Sequence, residues 1–281
     1  MSMNTLDATT ARRAPLGEEL LPYARMAQIA ESKREGYAAA QPFPHIVIDD
    51  FFDPAVLDRV LAQFPDKNDT NWEAHDIPEE IKLQSKSERA IPRYTRQLLY
   101  AMNSSGFLQF LERLTGIQNL LGDPQYEGGG LHQIVPGGKL AIHADFSKHS
   151  VYNLDRRLNA LVYLNKNWKE EYGGHLELWD TAMTKAERRI APVFNRMVIF
   201  TTNSDSYHGH PNPLTCPPGT TRKSMALYYY TVPVGADAGP PRHSTLFQAR
   251  PGERFQSSAK QMARDLTPPA LWRLLSRSRK T

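Results

Sequence analysis

Within the run KLAIHADF, His143 and Asp145 lie two residues apart. Side chains of an extended strand alternate between faces, so this imidazole and this carboxylate project to the same side. A third donor from a distant strand completes a facial set of two histidines and one carboxylate. Such a set leaves three coordination positions open and suits non-haem iron(II) better than a closed structural metal. His208, in SYHGHP, is the natural candidate, although His210 shares its face if the segment is extended and also has a donor to offer. A His-x-Asp pair alone is a weak signal, but the downstream sequence adds to it. Arg222 and Ser224, in TTRKSMALYYYT, again lie two apart at the start of a strand-like run. Guanidinium and hydroxyl therefore share a face, and the planar fork of arginine matches a carboxylate, the more strongly if buried. The chemistry suggested is a metal site beside a dock for a carboxylate.

These residues need strands to carry them. After Gly128 the chain runs through GLHQIVPGG, KLAIHADF, RLNALVYLN, HLELWD, NRMVIFTT and SMALYYYTV, short apolar runs separated by turn residues. The pattern predicts an all-β core of the jelly-roll or double-stranded β-helix kind. Upstream, GEELLPYARMAQIAESKREGYAAA reads as a helix and PFPHIVIDDFF as a strand, while DPAVLDRVLAQFP is a helix opening on Asp53 as N-cap. The charged stretch from Lys67 to Arg93 has no clear period and reads as a loop near a substrate mouth. Two helical stretches follow, broken between Asn103 and Gly106, with Leu108, Leu111, Leu114 and Ile117 spaced for one buried face that braces the sheet. The fold class expected is mainly β with flanking helices. Residues 1–16 form a disordered leader, 17–127 brace the core, 128–234 make the double-stranded β-helix, and 235–281 are a basic extension.

Composition limits the alternatives. At 281 residues, 40% hydrophobic and 23% charged, the chain has the make-up of a globular protein with a sizeable core. Its one cysteine, Cys216, excludes an internal disulfide and a cysteine-rich zinc site. No apolar stretch approaches the roughly 18 residues of a membrane span, and the start MSMNTLDATTARR lacks the apolar segment of a secretory signal, so the expected location is cytoplasmic. The net charge of +4 is concentrated after residue 249, where eight Lys or Arg face only Glu253 and Asp265. A solvated basic tail is the simpler reading, and no nucleic-acid function is predicted from it. Oligomeric state is not legible.

Taken together, H-x-D, a histidine 65 residues beyond His143, and R-x-S entering a late strand resemble the 2-oxoglutarate/Fe(II)-dependent oxygenases, the prolyl 4-hydroxylase-like branch above all. PFPHIVIDDFF, ALVYLN, GGHLELWD and NRMVIF extend the likeness over residues 43–234. The resemblance implies that His143, Asp145 and His208 bind iron(II), His208 being chosen over His210 because the family's ligand comes as aromatic-His-Gly. It also makes Arg222, assisted by Ser224, the partner of the distal 2-oxoglutarate carboxylate. Tyr163 is implied as a further hydrogen-bond donor to that carboxylate, and Gln133 as a polar group facing the cosubstrate. The 14-residue gap from His208 to Arg222 is long for the family, and NPLTCPPGT absorbs the excess. The activity implied is that of a dioxygenase, an oxidoreductase that hydroxylates an unactivated C–H of a prolyl, amino-acid or other small-molecule or peptidyl substrate. Iron(II), 2-oxoglutarate and O2 take part, ascorbate is compatible as an auxiliary reductant, and succinate and CO2 are co-products. The competing reading is a catalytically silent jelly roll that only binds metal or ligand. His132, His149 and His175 are set aside as ordinary polar residues, and Trp179 and Tyr207 as aromatics that pack or line the pocket.

Overall fold

A computed structural model describes residues 20–233 and 241–253. Helix α1, Tyr23–Ala39, buries Met26, Ala30 and Tyr37 along one stripe and stops ahead of Pro42. Strand β1 is His45–Ile48. Helix α2, Pro54–Ala62, begins as expected: Asp53 Oδ1 accepts from the Ala55 N–H at 2.9 Å, and Pro54 occupies a first-turn position where no amide partner is lost.

Residues 67–93 depart from the expected loop. They hold a hairpin of β2, Trp72–Ile77, and β3, Glu80–Ser85, and a short 3-10 turn. In EIKLQS the polar residues Glu80, Lys82 and Gln84 alternate with Ile81 and Leu83, and that polar set borders an internal cavity. The usual polar-outside pattern is therefore inverted, which hides the strand from a reading by hydropathy.

Helices α3, Arg93–Met102, and α4, Ser105–Thr115, form the broken pair, and α4 ends on Gly116 with φ of 77°. The buried stripe of α4 is Phe107, Phe110, Leu111 and Leu114; Leu108 is only partly buried and Ile117 lies beyond the helix. The two phenylalanines turn the inward face slightly from the one expected.

The remaining strands are β4 Leu121–Gly122, β5 Gly130–Ile134, β6 Lys139–Ala144, β7 Asp155–Tyr163, β8 Leu176–Trp179, β9 Ala186–Ile190, β10 Met197–Thr201, β11 His208–His210, β12 Arg222–Thr231 and β13 Leu246–Phe247. The order across the sheet is β1-β10-β7-β12-β5-β3-β6-β11-β8-β9, with β13 on β6, β2 on β3 and β4 on β12. This is the jelly-roll core predicted, a nearly closed antiparallel barrel in which β3 joins β5 to β6. Strand β9, AERRI, escaped the sequence reading because three of its five residues are charged.

Register divides the two faces of the β10-β7-β12 region. Val162 opposes Met197 and Met225, and Ala160 opposes Ile199 and Leu227; these side chains meet Leu98, Leu99, Phe107 and Leu111 of the helices in the main core. The alternate residues Asn159, Leu161, Tyr163, Ser224 and Tyr228 line the cavity inside the barrel. One strand thus brings packing to one side and chemistry to the other.

The leader placed over residues 1–16 lies outside the described residues, as does the basic extension apart from 241–253. Within that part, Leu246–Phe247 adds a strand to the barrel, Phe247 opposite His143. Among the described residues no helix is long and apolar enough to cross a membrane.

Phe107 is fully buried and its ring meets Phe51, Phe110 and Tyr229 at 6.3, 5.4 and 6.2 Å between centroids. Phe107→Ala should cost about 3–5 kcal/mol of unfolding free energy by cavity formation, read from the shift of the denaturant midpoint.

Candidate active site

Strands β6 and β11 are antiparallel neighbours, and His143 sits directly opposite His208. Their ring centroids are 4.5 Å apart. Asp145, one residue past the end of β6, completes the set: Oδ1 is 3.6 Å from His143 Nε2 and Oδ2 is 3.4 Å from His208 Nε2. One donor atom from each of the three lies within 4.8 Å of the others. The close approach of the strands depends on Gly209, where an added Cβ would sit 2.7 Å from the Ala141 carbonyl oxygen.

The donors are already oriented. His143 Nδ1 lies 2.9 Å from the Ala141 carbonyl oxygen and His208 Nδ1 lies 2.9 Å from that of Ser206. A carbonyl oxygen can only accept, so each Nδ1 carries the proton and each Nε2 turns its lone pair toward the shared point, the tautomer a metal ligand needs. Burial, only partly offset by Asp145, pushes the His208 imidazole down to about 4, so it is neutral near pH 7. The two imidazoles and the carboxylate fit an open iron(II) site by chemistry and by placement.

Asp145 has partners of its own that sequence reasoning missed. Asn159 Nδ2 donates to Oδ2 at 2.8 Å, and Arg156 Nη2 lies 3.1 Å from the same oxygen. Arg156 in turn is held by Asn159 Oδ1, at 2.7 Å from Nη2 and 3.2 Å from Nε. Burial raises the Asp145 carboxyl, but the guanidinium of Arg156, with lesser help from the two histidines, holds it well below the usual carboxylate range. An amide two and four residues before the inward-facing Leu161 and Tyr163 shares their parity; that periodicity was the available signal for Asn159.

Arg222, Ser224 and Tyr163 come together in the same cavity, of about 230 Å³, that holds the triad. Ser224 opposes Tyr163 across β12 and β7, and Arg222 Nη2 donates to the Tyr163 hydroxyl at 3.4 Å. Arg222 Nε donates to the Gly174 carbonyl at 2.8 Å. Gly174 has φ of 70°, and a Cβ there would meet Arg222 Cδ at 2.9 Å, so the GGH turn has to be glycine where the arginine passes. Arg222 is 4% exposed and has no carboxylate partner among the described residues; burial lowers its pKa, which a bound anion would reverse.

Gln133 does not join them. It pairs with Leu83 and Lys223 and donates to Thr221, on the face opposite the cavity, whereas His132 and Ile134 on either side point inward. The expectation for position 133 is one residue out of phase. The inward polar residue of β5 is His132, which had been set aside and whose pKa falls to about 3 by burial and the nearby Lys82. His210 lines the cavity but is outside the ligand cluster, with Nδ1 lacking a partner. His149 and His175 are held by Asp123 and Glu170, and neither Trp179 nor Tyr207 borders the cavity.

Residues 129–230 match the family model described as the 2OG-Fe(II) oxygenase superfamily. The core of the barrel thus matches the 2OG-Fe(II) oxygenase family, and its His-Asp-His cluster is one that could hold the iron(II) the family's description names. Among solved structures, a prolyl hydroxylase from Trichoplax adhaerens, in complex with a hypoxia-inducible-factor peptide, is 17% identical with a TM-score of 0.52 over 74% of this chain and 90% of that one. That likeness is one of fold. A prolyl 4-hydroxylase from Phytophthora capsici is 18% identical with a TM-score of 0.48, covering 91% of this chain and 75% of that one. HygX from Streptomyces hygroscopicus, with nickel and 2-oxoglutarate bound, is 14% identical with a TM-score of 0.45, covering 76% and 97%. No curated protein sequence matches the chain.

Because Asn159 orients both Asp145 and Arg156, Asn159→Ala should weaken metal affinity about 10- to 100-fold while leaving the fold intact. Anaerobic titration with iron(II) against a competing chelator, alongside circular dichroism, measures both.

Proposed function

We propose that this 2OG-Fe(II) oxygenase domain hydroxylates an unactivated C–H bond of a prolyl, amino-acid or other small-molecule substrate, with 2-oxoglutarate converted to succinate and CO2. The observation that carries the reading is the presence, in one cavity, of two imidazole Nε2 atoms and a carboxylate converging within 4.8 Å and a buried arginine with no carboxylate partner among the described residues. Bound there, iron(II) together with 2-oxoglutarate would supply the electrons that activate dioxygen, chemistry that no protein side chain provides.

The chain's own residues do the rest. His143, Asp145 and His208 hold the metal on one side only and leave the other open. Arg222 offers its guanidinium to the distal carboxylate of 2-oxoglutarate, and the Tyr163 and Ser224 hydroxyls beside it fix the direction of approach. Ile134, opposite Arg222 on the neighbouring strand, and Leu161 and Leu176 line the same cavity, and such apolar walls strengthen an ion pair by excluding water. Phe247, its ring 5.7 Å from that of His143, narrows the space beside the metal ligands. Asn159 and Arg156 keep Asp145 ionised and aligned, so no proton has to leave the carboxylate for metal to enter.

With iron(II) and oxygen, the protein should turn 2-oxoglutarate over to succinate, and Asp145→Ala should abolish this. Arg222→Gln should raise the KM for 2-oxoglutarate about 10- to 100-fold with iron binding retained, the loss of one charge-assisted contact pair. Excess zinc(II) should inhibit, since it takes the same ligands without redox chemistry. Iron-loaded protein that forms no succinate, either uncoupled or with a panel of prolyl peptides, amino acids and cell metabolites, overturns the reading.

A further inference from the structure

Arg156 is 3% exposed, lines the cavity, and spends only part of its hydrogen-bonding capacity. Nη2 and Nε are engaged by Asp145 and Asn159 and the guanidinium also interacts with Tyr228, whereas Nη1 is buried with no acceptor in hydrogen-bond geometry among the described residues. The guanidinium carbon lies 3.5 Å from the Tyr228 ring centroid and 4.4 Å from that of Phe146, so two aromatic rings hold the plane in place. A fixed, buried N–H donor facing no acceptor is costly unless a ligand supplies one.

The charge of the cavity agrees. Histidines aside, its described lining residues carry three cations, Lys82, Arg156 and Arg222, against two carboxylates, Glu80 and Asp145. Lys82 and Glu80 satisfy each other at 2.7 Å. On the reading proposed above, iron(II) and the 2-oxoglutarate dianion bring equal and opposite charges, Asp145 serves the metal and Arg222 the cosubstrate. One positive charge is left over in the cavity, where Arg156 has to share Asp145 with the metal. Buried net charge is unfavourable until it is paired.

We infer that the primary substrate carries a carboxylate, and that Arg156 Nη1 receives it beside the metal ligands. A single excess charge and an open guanidinium donor suit a monoanionic group. Phe146 and Tyr228, flanking the guanidinium, would pack the apolar part of the substrate next to that group. The residue assigned is thus a specificity determinant, separate from the Arg222 contact to the cosubstrate.

The test is 19F NMR under nitrogen on full-length protein loaded with zinc(II) and saturating 2-oxoglutarate, using trifluoroacetate and its neutral counterpart trifluoroacetamide as probes. Trifluoroacetate should show saturable line broadening and trifluoroacetamide none. Arg156→Gln should weaken trifluoroacetate binding at least tenfold, and Lys82→Gln should leave it unchanged. If Arg156→Gln no longer holds zinc, the comparison of the two probes on the unaltered protein, repeated at raised 2-oxoglutarate, decides: binding of the anion alone, insensitive to 2-oxoglutarate, supports the inference. Equal binding of both probes, no saturable binding, competition by 2-oxoglutarate, or loss in Lys82→Gln but not in a zinc-loaded Arg156→Gln would each overturn it. The readout needs no turnover, so failure to form succinate would count against the proposed reaction and leave this result standing.

Discussion

The register of two short strands governs this molecule. His143 and His208 meet across β6 and β11 as a directly opposed pair, and a slip of one residue would send one imidazole to the outer face and dissolve the site. Gly209 permits the approach, and backbone carbonyls at positions 141 and 206 hold each ring in the tautomer that points Nε2 inward. Everything else in the barrel either maintains that register or uses the space it creates. The helices cover the outer face of β10, β7 and β12, which leaves the inner face of the same strands free to carry polar side chains.

Such a polar interior is expensive, and the structure shows how the expense is contained. Asp145 does not stand alone; Asn159 and Arg156 tie it into a buried network with its charge in place. Arg222 is fastened through Nε to the Gly174 carbonyl and is drawn to the Tyr163 face, 4.9 Å from its centroid, so its orientation precedes any ligand. Glu80 and Lys82 neutralise each other on β3, where burial opposes and the His75 and Lys82 contacts prevail to hold the Glu80 carboxyl down at about 2. Preorganisation of this kind is what allows a cavity to bind a metal and an anion without rearrangement.

Much of this was legible beforehand, and the limits have physical causes. Strands β5 to β8, β10 and β12 stand out because apolar and β-branched runs break at turn residues, and His143, Asp145, Arg222 and Ser224 stand out because two-residue spacing fixes a shared face. The hairpin β2–β3 was hidden because its polar face is the buried one, so hydropathy reads it backwards. Gln133 was misplaced because strand parity, not residue polarity, decides what faces the cavity, and parity there rests on the pairing of His132 with Ser224 and Gln84. Arg156 stayed invisible because a charged residue at the start of a strand ordinarily points to solvent; its partner Asp145 lies eleven residues away and only the closed barrel brings them together.

The choice between the two histidines of the SYHGHP segment is the sharpest point of contact between account and experiment. Iron(II) stoichiometry measured by equilibrium dialysis under nitrogen should be one per chain for the unaltered protein and for His210→Ala, and should fall toward zero for His208→Ala. Full loading of His208→Ala, or loss of iron from His210→Ala with the fold retained, would contradict the placement of the metal between β6 and β11.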